Sequence, residues 1–364
     1  MDISELLRRW KKEEVQKQNN LNKEVQVSSA DTTSESIETI QYDDDFKYVG
    51  TLDGNGNPSG KGTMYSDNGD KLEGLWKDGV PTHGTAYFAD GNKYVGEFNE
   101  ECSCNGQGTW YFSDGTRIEG LWKDGVLLHG TEYYVEGDKY EGDFDEESQR
   151  SGQGTYFFSD EKRIEALWIA DKPVHGTYYF ADGDRYEGYF DDDWKMSGQG
   201  TYYNAKGERL EALWKEGNPV HGTYYYADGD RYEGDFDENE QYSGQGTYYN
   251  ADGERIEALW KAGNPVHGTC YFADGDRYEG DFDDDWKKSG QGTYYFSNGG
   301  RFEGMCKGGK FVHGTFYYAN EDRYEGDFDD DEKRSGQGTY YFSNGEILKG
   351  QWLKGEYQGD TTNK

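Results

Sequence analysis

The sequence contains few of the residues that fill an ordinary hydrophobic core. Leu, Ile and Val contribute only 35 of its 364 residues, which argues against a helical bundle and against a doubly wound fold. Four Cys are too few for a disulfide framework. No run of 18 apolar residues exists, so no transmembrane helix is predicted, and the N-terminus lacks the apolar stretch of a secretory signal. We therefore expect a cytoplasmic protein.

Aromatic residues and glycine replace the missing aliphatic residues. The chain has 33 Tyr, 18 Phe, 10 Trp and 53 Gly, but only 5 Pro. The aromatic side chains offset the disorder that a low aliphatic content with high charge would otherwise predict. This composition favours short strands and many turns, with aromatic rings packed against glycines.

The net charge is strongly negative. Acidic residues outnumber basic ones by 73 to 38, which gives −35. Nucleic acid and anionic membrane both repel such a surface, so we expect no nucleic-acid partner and regard membrane binding as disfavoured. Residues 1–45 carry 6 basic and 11 acidic side chains, which leaves −30 for the rest of the chain.

A repeat of 46 residues dominates the sequence after residue 46. One position holds tyrosine in every repeat, namely Tyr48, Tyr94, Tyr140, Tyr186, Tyr232, Tyr278 and Tyr324. A large apolar residue follows 24 positions later, at Leu72, Ile118, Ile164, Leu210, Ile256, Phe302 and Leu348. Each unit therefore consists of two related halves.

Each half has the pattern of a β-hairpin. Tyr278, Gly280 and Phe282 alternate with charged residues, and this period of two is typical of a strand. A polar loop and a second strand, residues 290–296, follow. Asp-Gly or Asn-Gly dipeptides connect successive halves, and these dipeptides favour type I′ turns.

This pattern resembles the MORN repeat (membrane occupation and recognition nexus), which has the motif Tyr-Glu-Gly-x-Trp/Phe, a loop, Gly-x-Gly and a closing x-Asp-Gly turn. Residues 278–282 and 290–292 match it, as do residues 232–234 and 244–246. The resemblance implies an all-β fold, an elongated and twisted antiparallel sheet of about fourteen stacked hairpin repeats. At about 4.8 Å per strand, its strands would extend over roughly 130 Å.

Four segments follow from the pattern. Residues 1–23 are predicted to form a short amphipathic helix, with Leu7 and Trp10 as docking residues on its apolar stripe. Residues 24–45 lack Lys and Arg, which together with their polar composition predicts an acidic disordered linker. Residues 46–359 form the repeat array, and residues 360–364 are a tail. The helix could dock on its own sheet, on a second copy, or on a separate protein or membrane.

The alternation also assigns two faces to the sheet. The Tyr-x-Gly-x-Phe positions form one face, on which a ring from the neighbouring hairpin can lie over each glycine. The Thr-x-Tyr positions lie on the opposite face, beside Arg277 and Glu279. They either stabilise the sheet through cross-strand pairs or form a partner-binding face, for which the candidate residues are Tyr133, Tyr179, Tyr225, Tyr271, Tyr295 and Tyr317.

Three features could suggest metal chemistry, and each also has a structural explanation. Six His recur every 46 residues, about 19 Å apart, which is too far to share a metal ion, so we expect a hydrogen-bonding role. Acidic loops such as residues 283–285 leave Ca²⁺ binding open as an alternative to a charged edge that prevents aggregation. Cys102 and Cys104 alone make no zinc site. We predict no catalytic, cofactor-binding or metal-binding residues, since the known motifs are absent from the sequence.

These observations predict a non-enzymatic scaffold that binds protein partners or itself, as the resemblance to MORN proteins implies. Attachment to a phospholipid membrane is the alternative; the resemblance also implies it, but the negative charge disfavours it. Mimicry of an acidic polyanion is a minor alternative, because a charge of −30 over roughly 130 Å is sparser than that of duplex DNA.

Overall fold

The computed structural model describes residues 37–42 and 46–360, and within these ranges the secondary structure is entirely β. The described ranges contain 29 strands that belong to one antiparallel sheet. No helix in them is long and apolar enough to cross a membrane. The predicted N-terminal helix, with Leu7 and Trp10, lies outside the described residues, as do residues 361–364.

The chain divides into two compact units. The first contains the loop residues Asp192–Trp194 and the strands β1 (Glu38–Gln41), β2 (Phe46–Leu52), β3 (Pro58–Ser66), β4 (Lys71–Lys77), β5 (Val80–Tyr87), β6 (Lys93–Phe98), β7 (Cys104–Tyr111), β8 (Arg117–Lys123), β9 (Val126–Tyr133), β10 (Lys139–Phe144), β11 (Arg150–Phe157), β12 (Arg163–Ile169) and β13 (Lys172–Tyr179). The second contains the strands β14 (Arg185–Phe190), β15 (Met196–Tyr203), β16 (Arg209–Lys215), β17 (Asn218–Tyr225), β18 (Arg231–Phe236), β19 (Tyr242–Tyr249), β20 (Arg255–Lys261), β21 (Asn264–Tyr271), β22 (Arg277–Phe282), β23 (Lys288–Tyr295), β24 (Arg301–Lys307), β25 (Lys310–Tyr317), β26 (Arg323–Phe328), β27 (Arg334–Tyr341), β28 (Ile347–Leu353) and β29 (Glu356–Gly359).

Within each unit, strands that follow one another in sequence pair with each other. Arg255 of β20 lies opposite Tyr271 of β21, which in turn lies opposite Arg277 of β22. The same register recurs in the preceding repeat. Because the register is constant, equivalent residues of successive strands form rows that run across the sheet. The predicted all-β antiparallel architecture is confirmed, whereas the number of repeats stays a prediction.

Strand β1 lies inside the segment that was predicted to be a disordered linker. Its residues pair with β2, and Thr39 lies opposite Val49. The backbone hydrogen bonds of an existing strand edge are available to any adjacent extended segment, even one with a polar composition. The sheet therefore begins before residue 46, in contrast to the predicted boundary.

The Asp-Gly and Asn-Gly turns that connect successive halves are not the predicted type I′ turns. In the turn after β21 only Gly275 has a positive φ, of 90°, whereas type I′ requires positive φ at both central residues. The Gly275 N–H donates to the Phe272 carbonyl at 3.1 Å, and the Phe272 N–H donates to the Asp276 carbonyl at 2.9 Å. This pattern is a type I turn that ends in a left-handed glycine. Glu161 and Glu321 occupy the same position with φ of 72° and 69°.

One face of the sheet is a core of aromatic rings packed on a strip of glycines. The ring of Tyr278, a fully buried residue, covers Gly280 in its own strand and Gly292 directly opposite, so a Cβ at either glycine would lie 2.6 Å from ring carbon Cζ. Its hydroxyl oxygen lies 3.0 Å from the carbonyl oxygens of both Asp281 and Ser289, so its single proton is shared between two acceptors. The prediction that the covering ring comes from the neighbouring hairpin is therefore wrong, because it comes from the hairpin of the glycines themselves.

In all but one of the repeats, a tryptophan of the second half is hydrogen-bonded to the same strip of glycines. The indole N–H of Trp260 donates to the carbonyl of Gly246 at 2.9 Å. Equivalent bonds of 3.0–3.2 Å are made by Trp76, Trp122, Trp168, Trp214 and Trp352. Each bond satisfies a buried indole nitrogen that would otherwise be costly.

Cys306 takes the place of this tryptophan in one repeat. Phe302 and Phe311 stand where Ile256 and Pro265 stand one repeat earlier, and their rings stack with centroids 4.1 Å apart. All three residues belong to one buried cluster. Burial raises the pKa of the Cys306 thiol to about 11, so it packs as a neutral group beside the two rings.

Candidate interaction face

The opposite face of the sheet, which we call the polar face, carries three rows of side chains that run across the strands. The Arg–Tyr row contains Arg255, Tyr271, Arg277 and Tyr295. The Thr–Glu row contains Glu257, Thr269, Glu279 and Thr293. The Leu–His row contains Gln245, Leu259, His267 and Asp281. The first two rows repeat with every half of the 46-residue unit, and the third repeats once per unit.

All six tyrosines that were predicted to bind partners lie in the Arg–Tyr row and are half-buried. A guanidinium group from the adjacent strand lies 3.7–4.2 Å from the centroid of each ring, in the pairs Arg117–Tyr133, Arg163–Tyr179, Arg209–Tyr225, Arg255–Tyr271, Arg277–Tyr295 and Arg301–Tyr317. Such contacts stabilise an exposed site by about 0.5–1 kcal/mol each. One side of each ring is therefore used within the sheet, and the row presents guanidinium groups together with ring edges.

The arginines also form ion pairs along their own strands. Nε of Arg209 and of Arg255 lies 2.7 Å from Oε1 of Glu211 and of Glu257, respectively. These glutamates remain 48 % and 45 % exposed. Because each pair is neutral, the Arg–Tyr and Thr–Glu rows add little to the net charge. The excess negative charge lies mainly in loops and turns.

The Leu–His row contains exposed apolar residues that the sequence analysis missed. They are 39–46 % exposed and recur every 46 residues, at Leu75, Leu121, Leu167, Leu213, Leu259 and Met305. The signal was present in the alternation of the strand, since Leu259 is separated from Arg255 and Glu257 by even intervals and so shares their face. The row thus offers one apolar contact per repeat.

Histidines of the same row form hydrogen-bonded pairs with aspartates on the next strand. Nδ1 lies 2.7–2.8 Å from Oδ1 in the pairs His129–Asp143, His221–Asp235, His267–Asp281 and His313–Asp327. These contacts support the hydrogen-bonding role expected for the series. Among the described residues, no three His, Cys, Asp or Glu side chains are grouped so that they could hold a metal ion.

A shallow groove follows the Thr–Glu row in the first unit. Its volume is about 520 Å³, and its walls include His129, Glu141, Thr155, Glu165 and Thr177, one from each of the strands β9 to β13. Backbone of the glycine strip forms part of its floor. The groove is open to solvent and runs across five strands, so it can accept an extended chain along the row.

The MORN-repeat family model matches nine segments of the chain, residues 54–71, 104–117, 140–163, 174–185, 214–231, 232–255, 260–277, 278–301 and 324–347. The chain belongs to the MORN-repeat family. Four of these MORN segments begin at a tyrosine that covers the glycine strip, Tyr140, Tyr232, Tyr278 or Tyr324. The family motif therefore encodes the aromatic core of the hairpin.

Comparisons with curated proteins and solved structures add little to this assignment. No curated protein matches the MORN-repeat chain. Solved structures with some likeness include the TCP domain of SAS-4 (dCPAP) from Drosophila melanogaster in complex with a proline-rich motif of Ana2 (dSTIL), at 9 % identity, with 58 % of this chain and 98 % of that chain covered and a TM-score of 0.24. Another is the TCP10 domain of CPAP from Danio rerio, at 10 % identity, with coverages of 74 % and 99 % and a TM-score of 0.17. Scores this low carry no argument about fold or function.

The acidic loops of the MORN repeats owe part of their composition to the turn itself. Oδ1 of Asp283 accepts hydrogen bonds from the backbone N–H groups of Asp285 and Lys287, at 3.1 and 2.9 Å. The equivalent Asp237 and Asp329 make the same pair of bonds. One oxygen of the first acidic residue is therefore occupied in each of these loops, which weakens the calcium-binding interpretation.

Proposed function

We propose that this MORN-repeat chain is a non-enzymatic scaffold that binds protein partners along its polar face. The observation that carries the proposal is the repetition of one set of Arg, Glu, Thr and Tyr side chains in register across successive strands. MORN repeats are typically modules for protein or membrane interaction. A periodic face of this kind suits a partner that contacts several repeats at once, because weak contacts then combine.

The charge distribution favours a protein over a phospholipid membrane. Arginines of the polar face, such as Arg255, are already paired with a glutamate and stacked on a tyrosine, so they contribute little net attraction for lipid phosphates. The remaining surface of the array is negative, which anionic membranes repel. A membrane-associated adaptor stays the alternative function, and mimicry of a polyanion the minor one. We place the scaffold in the cytoplasm.

A variant pair tests the scaffold on the full-length chain. Tyr225→Ala with Tyr271→Ala removes two side chains of the polar face, whereas Asp284→Ala with Asp285→Ala alters an acidic loop as the matched control. Both proteins and the parent are used as bait in extract of the source cell, and their melting curves establish that they are folded. We expect the face variant alone to lose bound proteins. Equal partner sets for all three baits would contradict the proposal.

Self-association is a second outcome that the same proteins can report. Sedimentation equilibrium of the parent and of both variants measures whether a second copy is the partner. If the parent forms dimers that only the face variant dissociates, the polar face binds another copy of itself.

A further inference from the structure

The Thr–Glu row has a spacing that selects among peptide conformations. Glutamates occupy alternate strands, with Glu257, Glu279 and Glu303 separated by Thr269 and Thr293. Neighbouring strands lie about 4.8 Å apart, so the glutamates recur about every 9.6 Å along the row. A chain laid along the row can use every glutamate only if its own side chains return to one side at this interval.

A polyproline II helix meets this requirement better than the other regular conformations. It rises about 3.1 Å per residue with three residues per turn, so every third side chain returns to the same side after about 9.3 Å. An α-helix returns after about 5.4 Å. A β-strand returns every second residue, after about 6.6 Å. The mismatch of a few tenths of an ångström per turn is within the reach of a long side chain.

Charge determines which side chain should occupy every third position. Glu257 and Glu279 each pair with an arginine through Oε1, at 2.7 and 3.1 Å, and remain 45 % and 42 % exposed. Their Oε2 atoms accept hydrogen bonds from the hydroxyl groups of Tyr271 and Tyr295, at 3.5 and 3.3 Å. Each carboxylate oxygen has two acceptor sites, so a lysine or arginine of the peptide can bind the exposed side of the carboxylate as an additional donor. The surrounding array carries a net charge of −30, which attracts a cationic chain over a longer range.

The row also offers hydrogen-bond donors, and the groove offers space. A polyproline II backbone has no internal hydrogen bonds, so its carbonyl groups seek external donors. Thr155 and Thr177 carry hydroxyl groups in the walls of the groove, beside Glu141 and Glu165. Five strands correspond to about 19 Å, or about two turns of the helix.

We propose that the polar face binds a proline-rich segment in the polyproline II conformation, with Lys or Arg at every third position, lying across the strands along the Thr–Glu row. This inference rests on the proposed function and names the chemistry of its partner. The proline rings pack beside the Arg–Tyr row, where aromatic edges favour such segments. The basic side chains pair with successive glutamates.

Two synthetic peptides of identical composition test the spacing. One repeats Pro-Pro-Lys four times, and the other has eight consecutive prolines with two lysines at each end. Both carry the same charge and favour the same conformation, so only the lysine spacing differs. Fluorescence anisotropy with the full-length chain at physiological salt should give about tenfold tighter binding of the evenly spaced peptide, as expected from several additional exposed ion pairs. Equal affinities would overturn the inference.

A pair of protein variants locates the binding. Glu141→Gln with Glu165→Gln removes two carboxylates of the groove, and Glu146→Gln with Glu147→Gln removes two from an exposed loop of the same unit. We expect only the groove variant to weaken the evenly spaced peptide, by about fivefold. An equal loss in both variants would show that the peptide senses overall charge and would refute the site.

Failure of this inference is distinguishable from failure of the scaffold. If the two peptides bind equally while Tyr225→Ala with Tyr271→Ala still loses bound proteins, the polar face binds partners of another chemistry. If neither experiment shows an effect, the scaffold proposal is wrong as well.

Discussion

Replacement of one glycine beneath a tyrosine ring should be among the most destabilising substitutions in the array. A Cβ on Gly280 would overlap the Tyr278 hydroxyl oxygen and would lie 2.6 Å from Cζ and 2.7 Å from the carbonyl oxygen of Gln291. Neither the ring nor the strand can move cheaply, because the ring is buried and the carbonyl belongs to the opposite strand. Gly280→Val adds two further methyl groups to this space.

The expected cost follows from two contributions. Overpacking of a core costs about 1–3 kcal/mol. If the ring is displaced, its hydroxyl loses the hydrogen bond that it shares between the carbonyls of Asp281 and Ser289, which is worth about 1 kcal/mol. The free energy of unfolding should therefore fall by about 2–4 kcal/mol, which corresponds to about 10 °C in Tm.

Glu279→Val is the matched control, since the same side chain is introduced one residue away on the polar face. Glu279 is 42 % exposed and pairs with Arg277 at 3.1 Å, an interaction worth less than about 1 kcal/mol. Valine also suits a strand. We expect a loss of less than about 1 kcal/mol.

Thermal unfolding followed by near-ultraviolet circular dichroism measures both variants, because the signal reports the packing of the tyrosine rings. A second measurement tests the mechanism: Tyr278→Leu should make Gly280→Ala less costly, with a coupling of about 1 kcal/mol. Equal losses in Tm for the two valine variants would show that the faces are wrongly assigned. An absence of coupling would show that the ring is not the obstacle.

Four further predictions concern the array and its N-terminal segment. Burial raises the pKa of Tyr48, Tyr186 and Tyr324 from 10.0 to about 12, so between pH 10 and pH 12 these tyrosines are ionised in the unfolded state but not in the folded state. The free energy of unfolding should therefore be unchanged below pH 10 and should fall above it by about 1.4 kcal/mol per pH unit for each tyrosine, which urea unfolding at stepped pH can measure. Glu321→Gly should raise the free energy of unfolding by about 1 kcal/mol, because Glu321 has a φ of 69° where other repeats have glycine; an unchanged urea midpoint would contradict this. The full-length chain should not bind anionic vesicles in flotation at physiological salt. If residues 1–23 dock on a partner, Leu7→Ala with Trp10→Ala should reduce partner capture or self-association. Vesicle binding that requires these two residues would instead assign them to the membrane.

The alternation of residues predicted the two faces because a strand has a fixed period of two. Thr293 and Tyr295 lie opposite Glu279 and Arg277, as the parity required. The same alternation places Leu259 on this face, but it does not show whether an apolar residue there is exposed or covered, so its exposure was not predicted. The partner-binding role of this face stays a prediction.

Other features depend on geometry that the residue pattern does not contain. Parity assigns Tyr278 to the core face but leaves its rotamer open, and the rotamer decides which glycines the ring covers. An Asp-Gly dipeptide occurs in several turn types, so it did not determine the turn at Gly275. The pairing of β1 depends on the exposed edge of β2 and not on its own polar sequence.

The packing of each tyrosine on glycines of its own hairpin has a consequence for how such chains change length. A 46-residue insertion or deletion brings its rings and glycines with it, so the remaining hairpins keep their internal contacts. The Arg–Tyr and Thr–Glu rows also stay in phase, because each half-repeat contributes one strand pair in the same register. Unequal recombination can therefore lengthen or shorten the array in whole units, and selection on the number of partner contacts can act without first repairing the core.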